Sequence, residues 1–301
     1  MYYIAEREVS DNLDMKAAVG LMREAFDEYF KGNAGADPRQ RTYSGPAVLS
    51  TMPAFMNKYH ISGLKSYIAT KNGAKFVVLL FDTESTDLLA LVEAEKLGQI
   101  RTGAVTALAT SILHDKCSVF TLIGSGFQAE TQLEGILSLS DPIEIRVYSR
   151  TASHSRNFAQ RMSKKFGREI KDYSDIGKAL YGADVITCIT SSYEPLISDI
   201  SFLERYHLNI AGSNILARRE VSEAVIRDAN LVVVEHLEQA FRESSEISDF
   251  VNGGGMPIEF KEVVGESQKF SHFRKTIFKT MGIGLEDIAC AWYVLDRMNL
   301  V

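Results

Sequence analysis

The stretch that most constrains the fold is Val119-Phe120-Thr121-Leu122-Ile123-Gly124-Ser125-Gly126-Phe127-Gln128-Ala129-Glu130. A β-branched and apolar run stops at two glycines and restarts with helix-forming residues, which is the order of a strand, a tight turn and a helix. The turn fits G-x-G-x-x-G/A: Gly124 makes the bend, Gly126 admits a pyrophosphate close to the backbone, and Ala129 lets the helix lie near the sheet. Ser125, Phe127 and Gln128 fill the positions between. The N–H groups that open such a helix have no partner within it and carry the positive end of its dipole, so they suit a phosphate.

The pattern around this turn strengthens the reading. After His114-Asp115-Lys116 the sequence alternates strand and helix signals, with strands expected at 118–123, 144–148, 185–189, 208–211 and 231–234 and helices at 131–139 and 153–166. Such alternation predicts a parallel sheet with right-handed crossovers. At the end of the second strand an NAD site places Asp or Glu for the ribose hydroxyls, but this chain has Ser149-Arg150-Thr151. A guanidinium with two hydroxyls suits a 2′-phosphate, so NADP(H) is favoured over NAD(H). Thr190 and Ser191, at the end of the 185–189 strand, are expected on the nicotinamide side.

The flanking segments read as α+β. Apolar residues at Met15, Ala18, Val19, Met22, Phe26, Tyr29 and Phe30 predict a helix over 12–31, capped by Asp11 or Asn12 and stopped at Gly32. The Gly/Pro-containing segment 32–56 reads as a surface loop that leaves Arg39 and Arg41 solvated. Asn72-Gly73 between apolar runs 63–69 and 75–81 predicts a hairpin, extended by a third strand at 87–93, with Lys65 on the solvent side of the sheet. A helix rich in small residues is expected over 100–113 with Thr102 as cap. Arg101 then lies against the helix dipole and calls for an anion nearby. Gly253-Gly254-Gly255-Met256-Pro257 reads as a flexible connection, 276–287 as a second strand, turn and helix, and 286–298 as a last helix returning to the first domain.

Composition excludes several classes. A formal charge of −6 over 301 residues provides no basic field for nucleic acid or an anionic membrane. Cys117, Cys188 and Cys290 are scattered, as are the six histidines, so neither a structural metal nor a disulfide framework is expected. The acidic N-terminus does not resemble a signal peptide, and a cytoplasmic location is expected.

Taken in order, Arg41-Thr42, Met52-Pro53, Gly63-Leu64-Lys65, Arg101-Thr102-Gly103-Ala104, the Gly124 to Ala129 turn, Ala183-Asp184-Val185-Ile186 and Phe278-Lys279-Thr280-Met281-Gly282-Ile283-Gly284-Leu285-Glu286-Asp287 resemble the ornithine cyclodeaminase/mu-crystallin family over nearly the whole chain. The resemblance implies an α/β protein with a Rossmann-like NAD(P)-binding domain, 115–284, inserted into a discontinuous α+β substrate and dimerisation domain, 1–114 with 285–301. It implies a homodimer, and it implies that Arg41, Lys65 and Arg101 meet the carboxylate of a small amino or imino acid. The activity implied is interconversion of an imino (ketimine) acid and an amino acid, the alternatives being ornithine cyclodeamination to proline and an inactive ligand-binding member. Cyclodeaminase-type members carry a catalytic Asp where this chain has Asn214, and an amide cannot accept a proton as that carboxylate does. The chain is also shortened after Lys65, where relatives often carry a longer loop.

Overall fold

The computed structural model describes residues 1–301, and the chain divides into two units, Met1–Val105 with Gly282–Val301, and Thr106–Met281. In the first unit β1 (Tyr2–Ile4), α1 (Glu6–Asn12) and α2 (Met15–Phe30) precede six strands: β2 (Ala34–Ala36), β3 (Gln40–Ser44), β4 (Ala47–Met56), β5 (Ile61–Thr70), β6 (Gly73–Asp82) and β7 (Leu88–Glu93). The sheet order is β1-β7-β6-β5-β4-β2, with β3 also on β4, and every pairing except β1 with β7 is antiparallel. The hairpin around Asn72-Gly73 is present as expected.

Three expectations are corrected here. The cap of α2 is Asp14, whose carboxylate accepts from the Ala17 N–H, and the residues before it form the separate helix α1. Segment 32–56 is not a loop: it forms β2, β3 and β4, with Ser50, Met52, Ala54 and Met56 turned inward. Its glycines and prolines mask a period-two pattern that pairing with β5 fixes over nine residues of register. The following helix, α3 (Glu95–Leu113), begins five residues before the expected start at Ile100. The Glu6 carboxylate accepts from the N–H groups of Glu95 and Lys96 at 2.6 and 2.8 Å and so caps the helix from a distant part of the chain. Thr102 is therefore internal, its hydroxyl donating to the Gly98 carbonyl at 2.7 Å, and Arg101 does not oppose a helix N-terminus. Residues of α3 up to Val105 fall in the first unit and those from Thr106 in the second.

The second unit alternates strand and helix: β8 (Val119–Ile123), α4 (Ala129–Leu139), β9 (Glu144–Tyr148), α5 (Ala152–Phe166), β10 (Lys171–Tyr173), α6 (Ile176–Leu180), β11 (Val185–Cys188), β12 (Tyr206–Ile210), α7 (Glu223–Asp228), β13 (Leu231–Val234), α8 (Leu237–Glu243), α9 (Ser245–Asn252), β14 (Ile258–Glu259), α10 (Phe260–Gly265) and β15 (Lys275–Lys279). All eight strands are parallel in the order β10-β9-β8-β11-β12-β15-β13-β14. Both faces are covered. Phe120, Leu122, Val147 and Val185 pack with Leu133 and Phe158, whereas Ile123, Ile186, Leu208 and Ile277 pack with Val225 and Ile226. Chain order runs from β8 outward to β10, then returns to β11 beside β8, so the switch point where open sheets bind ligands lies at the carboxyl ends of β8 and β11. The 253–257 segment starts as an ordered turn, with Gly253, Gly254 and Gly255 N–H groups bonded back to Asp249, Val251 and Phe250 carbonyls.

The last helix, α11 (Gly284–Arg297), belongs to the first unit and packs on α2 and on β4, β5 and β6, burying Leu285, Ile288, Ala291 and Leu295. Trp292 stacks on Tyr59 with centroids 3.6 Å apart. The helix start fits only because Gly284 has no side chain: a Cβ there would lie 2.2 Å from the Met52 carbonyl oxygen. Gly284→Ala is expected to lower unfolding stability by about 2 kcal/mol through overpacking, whereas Gly20→Ala, at an exposed position of α2 with nothing within 4 Å of the added methyl, raises it by about 1 kcal/mol. Denaturant unfolding of the two variants beside the parent chain measures both signs.

Candidate functional site

In the first unit the chemistry gathers around one carboxylate. Lys65 stands in the middle of β5 opposite Met52 and Val78, and its parity along the strand matches Ile61 and Gly63 on the buried face. It is 3% exposed, which corrects the solvent-facing expectation. Its Nζ donates to Asp287 Oδ1 at 2.9 Å, and α3 passes it at Gly98, where a Cβ would come 2.9 Å from Nζ. Arg101, buried on α3, donates from Nε to the same Asp287 oxygen at 3.1 Å and from Nη1 to Glu286 Oε2 at 2.7 Å. Gly282, with φ of 77°, lets the chain turn against the Arg101 guanidinium, and its carbonyl accepts from Arg39 Nη2 at 3.2 Å. The structure thus brings Lys65 and Arg101 together. Arg41 is half-buried on β3 opposite Ser50, and Arg39 is the buried arginine whose charge reaches Lys65.

Glu286, Asp287 and Arg39 are additions that the sequence reading did not assign roles. A signal was present, since an arginine expected to need an anion and an acidic pair in the 278–287 motif were both visible. Counting Lys65, Arg101 and Arg39 against Glu286 and Asp287 leaves one positive charge in a buried cluster, a balance suited to a single carboxylate. Burial pushes the Lys65 ammonium down to about 8, Asp287 opposes that fall, and Arg101 and Arg39 add to it. Asp287 Oδ2 is buried with no hydrogen-bond partner, so the second oxygen still has acceptor capacity.

In the second unit the glycine turn opens a cleft of about 200 Å³. Gly124 has φ of 118°, donates to the Tyr148 carbonyl at 2.8 Å, and would carry a Cβ 2.3 Å from the Ile189 oxygen, so no side chain fits. The cleft is lined by Gly124, Ser125, Gly126, Ser149, Arg150, Thr190 and Ser191 of the expected residues, and by His154 and Leu196, which the sequence reading did not single out. His154 lies in the first turn of α5, shortly after Arg150. Phe127, Gln128, Ala129 and Thr151 do not line the cleft. Phe127 is exposed, Gln128 precedes α4, Ala129 is the buried first residue of α4, and Thr151 precedes α5. Nothing lies within 4 Å of a Cβ built on Gly126, so space is open where a pyrophosphate would approach α4. No carboxylate lines the cleft, and the exposed Arg150 is its one guanidinium. These features fit a dinucleotide.

The model of the ornithine cyclodeaminase/mu-crystallin family matches residues 3–300. A Delta(1)-pyrroline-2-carboxylate reductase of Bacillus cereus is 31% identical over 229 residues, 73% of this chain and 70% of that protein. The ketimine reductase mu-crystallin of Mus musculus is 29% identical over 223 residues, 74% and 69% of the two chains. The Delta(1)-pyrroline-2-carboxylate reductase of Thermococcus litoralis, solved in complex with NADH and L-proline, shares the fold with a TM-score of 0.91 at 24% identity, over 99% of this chain and 98% of that one.

Lys65 titrates lower in the folded than in the unfolded chain, so between about pH 8 and its ordinary value of 10.5 the unfolded state holds the extra proton and folding stability rises with pH. Below that window the contribution is flat. The stability of the ligand-free parent relative to Lys65→Met is expected to rise by about 3 kcal/mol across the window, and a pH-independent difference in denaturant unfolding would contradict the assignment.

Proposed function

Because the chain belongs to the ornithine cyclodeaminase/mu-crystallin family, we propose that it is an NADP(H)-dependent oxidoreductase that interconverts an imino acid and an amino acid. The observation that carries the substrate half is the buried Lys65, Arg101 and Arg39 cluster, which keeps one positive charge after Glu286 and Asp287 are paired. A carboxylate held by planar guanidinium donors has a fixed orientation, and orientation is the larger part of catalysis where the cofactor supplies the chemistry. The reactions of the Bacillus cereus and mouse relatives, as their names state them, are of this class.

When bound, the nicotinamide supplies or takes the hydride. Reduction of C=N to an amine also consumes one proton. Lys65, with its ammonium brought to about 8, can release a proton near neutral pH more readily than an ordinary lysine. Asp287 steadies that ammonium and the Arg101 guanidinium through one oxygen. Arg150, at the cleft wall where no carboxylate lies, supports selection of a 2′-phosphate. Asn214, half-buried in the segment after β12, offers an amide where cyclodeaminase-type members carry a catalytic Asp, and so favours simple reduction over cyclodeamination.

The same reading includes a homodimer. The face of the first sheet turned away from α11 carries cross-strand apolar rows: Leu49 with Ile68, Leu64 with Leu79 and Leu91, and Phe55 and Phe81 on either side of Ser62. Leu49, Phe55, Ile68 and Phe81 are between 37% and 48% exposed in one chain, which suits burial against a second copy.

A panel of cyclic and linear imino acids tested for NADPH and NADH consumption addresses the reaction directly. Turnover with NADPH favoured is expected. Arg150→Ala should reduce the NADPH preference about tenfold, and Arg101→Gln should lower kcat/KM about a hundredfold or more. A chain that binds NADPH but reduces no imino acid is a ligand-binding member, and proline with ammonia formed from ornithine would identify a cyclodeaminase.

A further inference from the structure

Where β11 and β12 end, the parallel ladder between them stops: Cys188 pairs with Ile210, and the last bond runs from the Ala211 N–H to the Cys188 carbonyl at 2.8 Å. Two residues beyond that last pair, Thr190 and Gly212 still lie close together. A Cβ on Gly212 would stand 2.1 Å from the Thr190 oxygen and 2.2 Å from its nitrogen. Their N–H groups meet a side chain instead of a strand. The buried Glu220 carboxylate accepts from the Thr190 N–H at 2.8 Å and hydroxyl at 3.0 Å through Oε1, and from the Gly212 N–H at 2.6 Å through Oε2.

The backbone of Glu220 is tied into the same wall. Its carbonyl accepts from the Leu196 and Ile197 N–H groups at 2.9 and 3.3 Å, and its own N–H donates to Glu246 Oε1 at 2.9 Å. Lys279, fully buried on β15, donates from Nζ to the Ser213 carbonyl at 2.7 Å and opposes the burial that raises the Glu220 pKa. A buried carboxylate costs several kcal/mol of solvation, and a neutral residue would avoid that cost. Two N–H donors arriving at two different oxygens explain why a carboxylate stands there. A glutamine of the same shape would turn its NH2 toward one of them, donor against donor.

Thr190, with Ser191 and Leu196 beside it, lines the cleft of the glycine turn. We propose that Glu220 is a positioning residue that holds the ends of β11 and β12 together and thereby sets the Thr190–Ser191 wall for the nicotinamide end of the dinucleotide. The assignment rests on the cofactor reading above, and it acts on one end of that ligand only. The adenosine end is served by Ser149 and Arg150, which follow β9 on the side of β8 opposite β11.

That asymmetry supplies the test. Affinities for NADPH and for adenosine 2′,5′-bisphosphate are compared in the parent chain and in Glu220→Gln. The expected result is about tenfold weaker NADPH binding with the bisphosphate bound as before. Equal loss of both ligands would assign Glu220 a purely structural role and overturn the proposal, as would no loss of either. A parent chain that binds neither ligand would overturn the dinucleotide reading itself, and the proposal with it. A second measurement needs no variant: the Thr190 and Gly212 amides, which lie beyond the ladder, are expected to be protected from hydrogen exchange in the intact protein. Exchange at the rate of open loop amides would refute the bridge.

Discussion

A cation carried into an apolar interior has to be met by an anion, and in this chain that requirement explains the topology of the first unit. Lys65 reaches the interior because the parity of β5 turns it inward, and Arg101 because α3 is buried on nearly every side. Neither can stay charged there alone. Asp287 and Glu286 meet them from the first turn of α11, more than 180 residues further along the chain than Arg101. The inserted parallel-sheet unit therefore lies between two pieces of sequence that depend on each other electrostatically. Removing the C-terminal piece would strip away the stacking of Trp292 on Tyr59, and it would also leave two buried cations uncompensated. Breaking such a pair by removing one partner is far more costly than the pair is stabilising.

The second unit uses the same device with the signs exchanged. At the carboxyl edge of a parallel sheet the ladders run out, and the freed N–H groups must find acceptors. Glu220 takes those of Thr190 and Gly212, while Glu235, at the end of β13, accepts from the Thr280 hydroxyl and from the Met281 N–H at 2.7 Å after β15. Buried carboxylates thus tie the strand ends along this edge, and one of them, Glu220, holds Thr190 of the cleft wall. Loops held this way keep their geometry without a packed core of their own, which is what a binding surface built from strand ends needs.

These facts separate what the sequence discloses from what it withholds. The glycine turn was legible because strand, bend and helix are written within twelve consecutive residues and the change of period is local. The absence of an acid at Ser149-Arg150-Thr151 was legible for the same reason. Burial of Lys65 was not: a lone lysine in a strand is ordinarily on the wet face, and its partner Asp287 is 222 residues away. The true start of α3 was hidden because its cap is Glu6, outside any local window. Segment 32–56 concealed strands because Gly45, Pro46 and Pro53 interrupt the alternation that pairing restores. Family resemblance linked Lys65 with Arg101 across these distances, yet it did not point to the carboxylates that make their burial tolerable.

The internal carboxylates bear on the proposed chemistry as well. Three unneutralised buried cations would bind any anion strongly, and strong binding that is equal in ground and transition states does not accelerate a reaction. With Glu286 and Asp287 in place, Lys65, Arg101 and Arg39 together retain one positive charge. The pairing also leaves Lys65 where its proton can move, because Asp287 counters part of the shift that burial and the neighbouring guanidinium groups impose. Loss of Asp287 would thus act twice, on the orientation of Arg101 and on the proton held by Lys65.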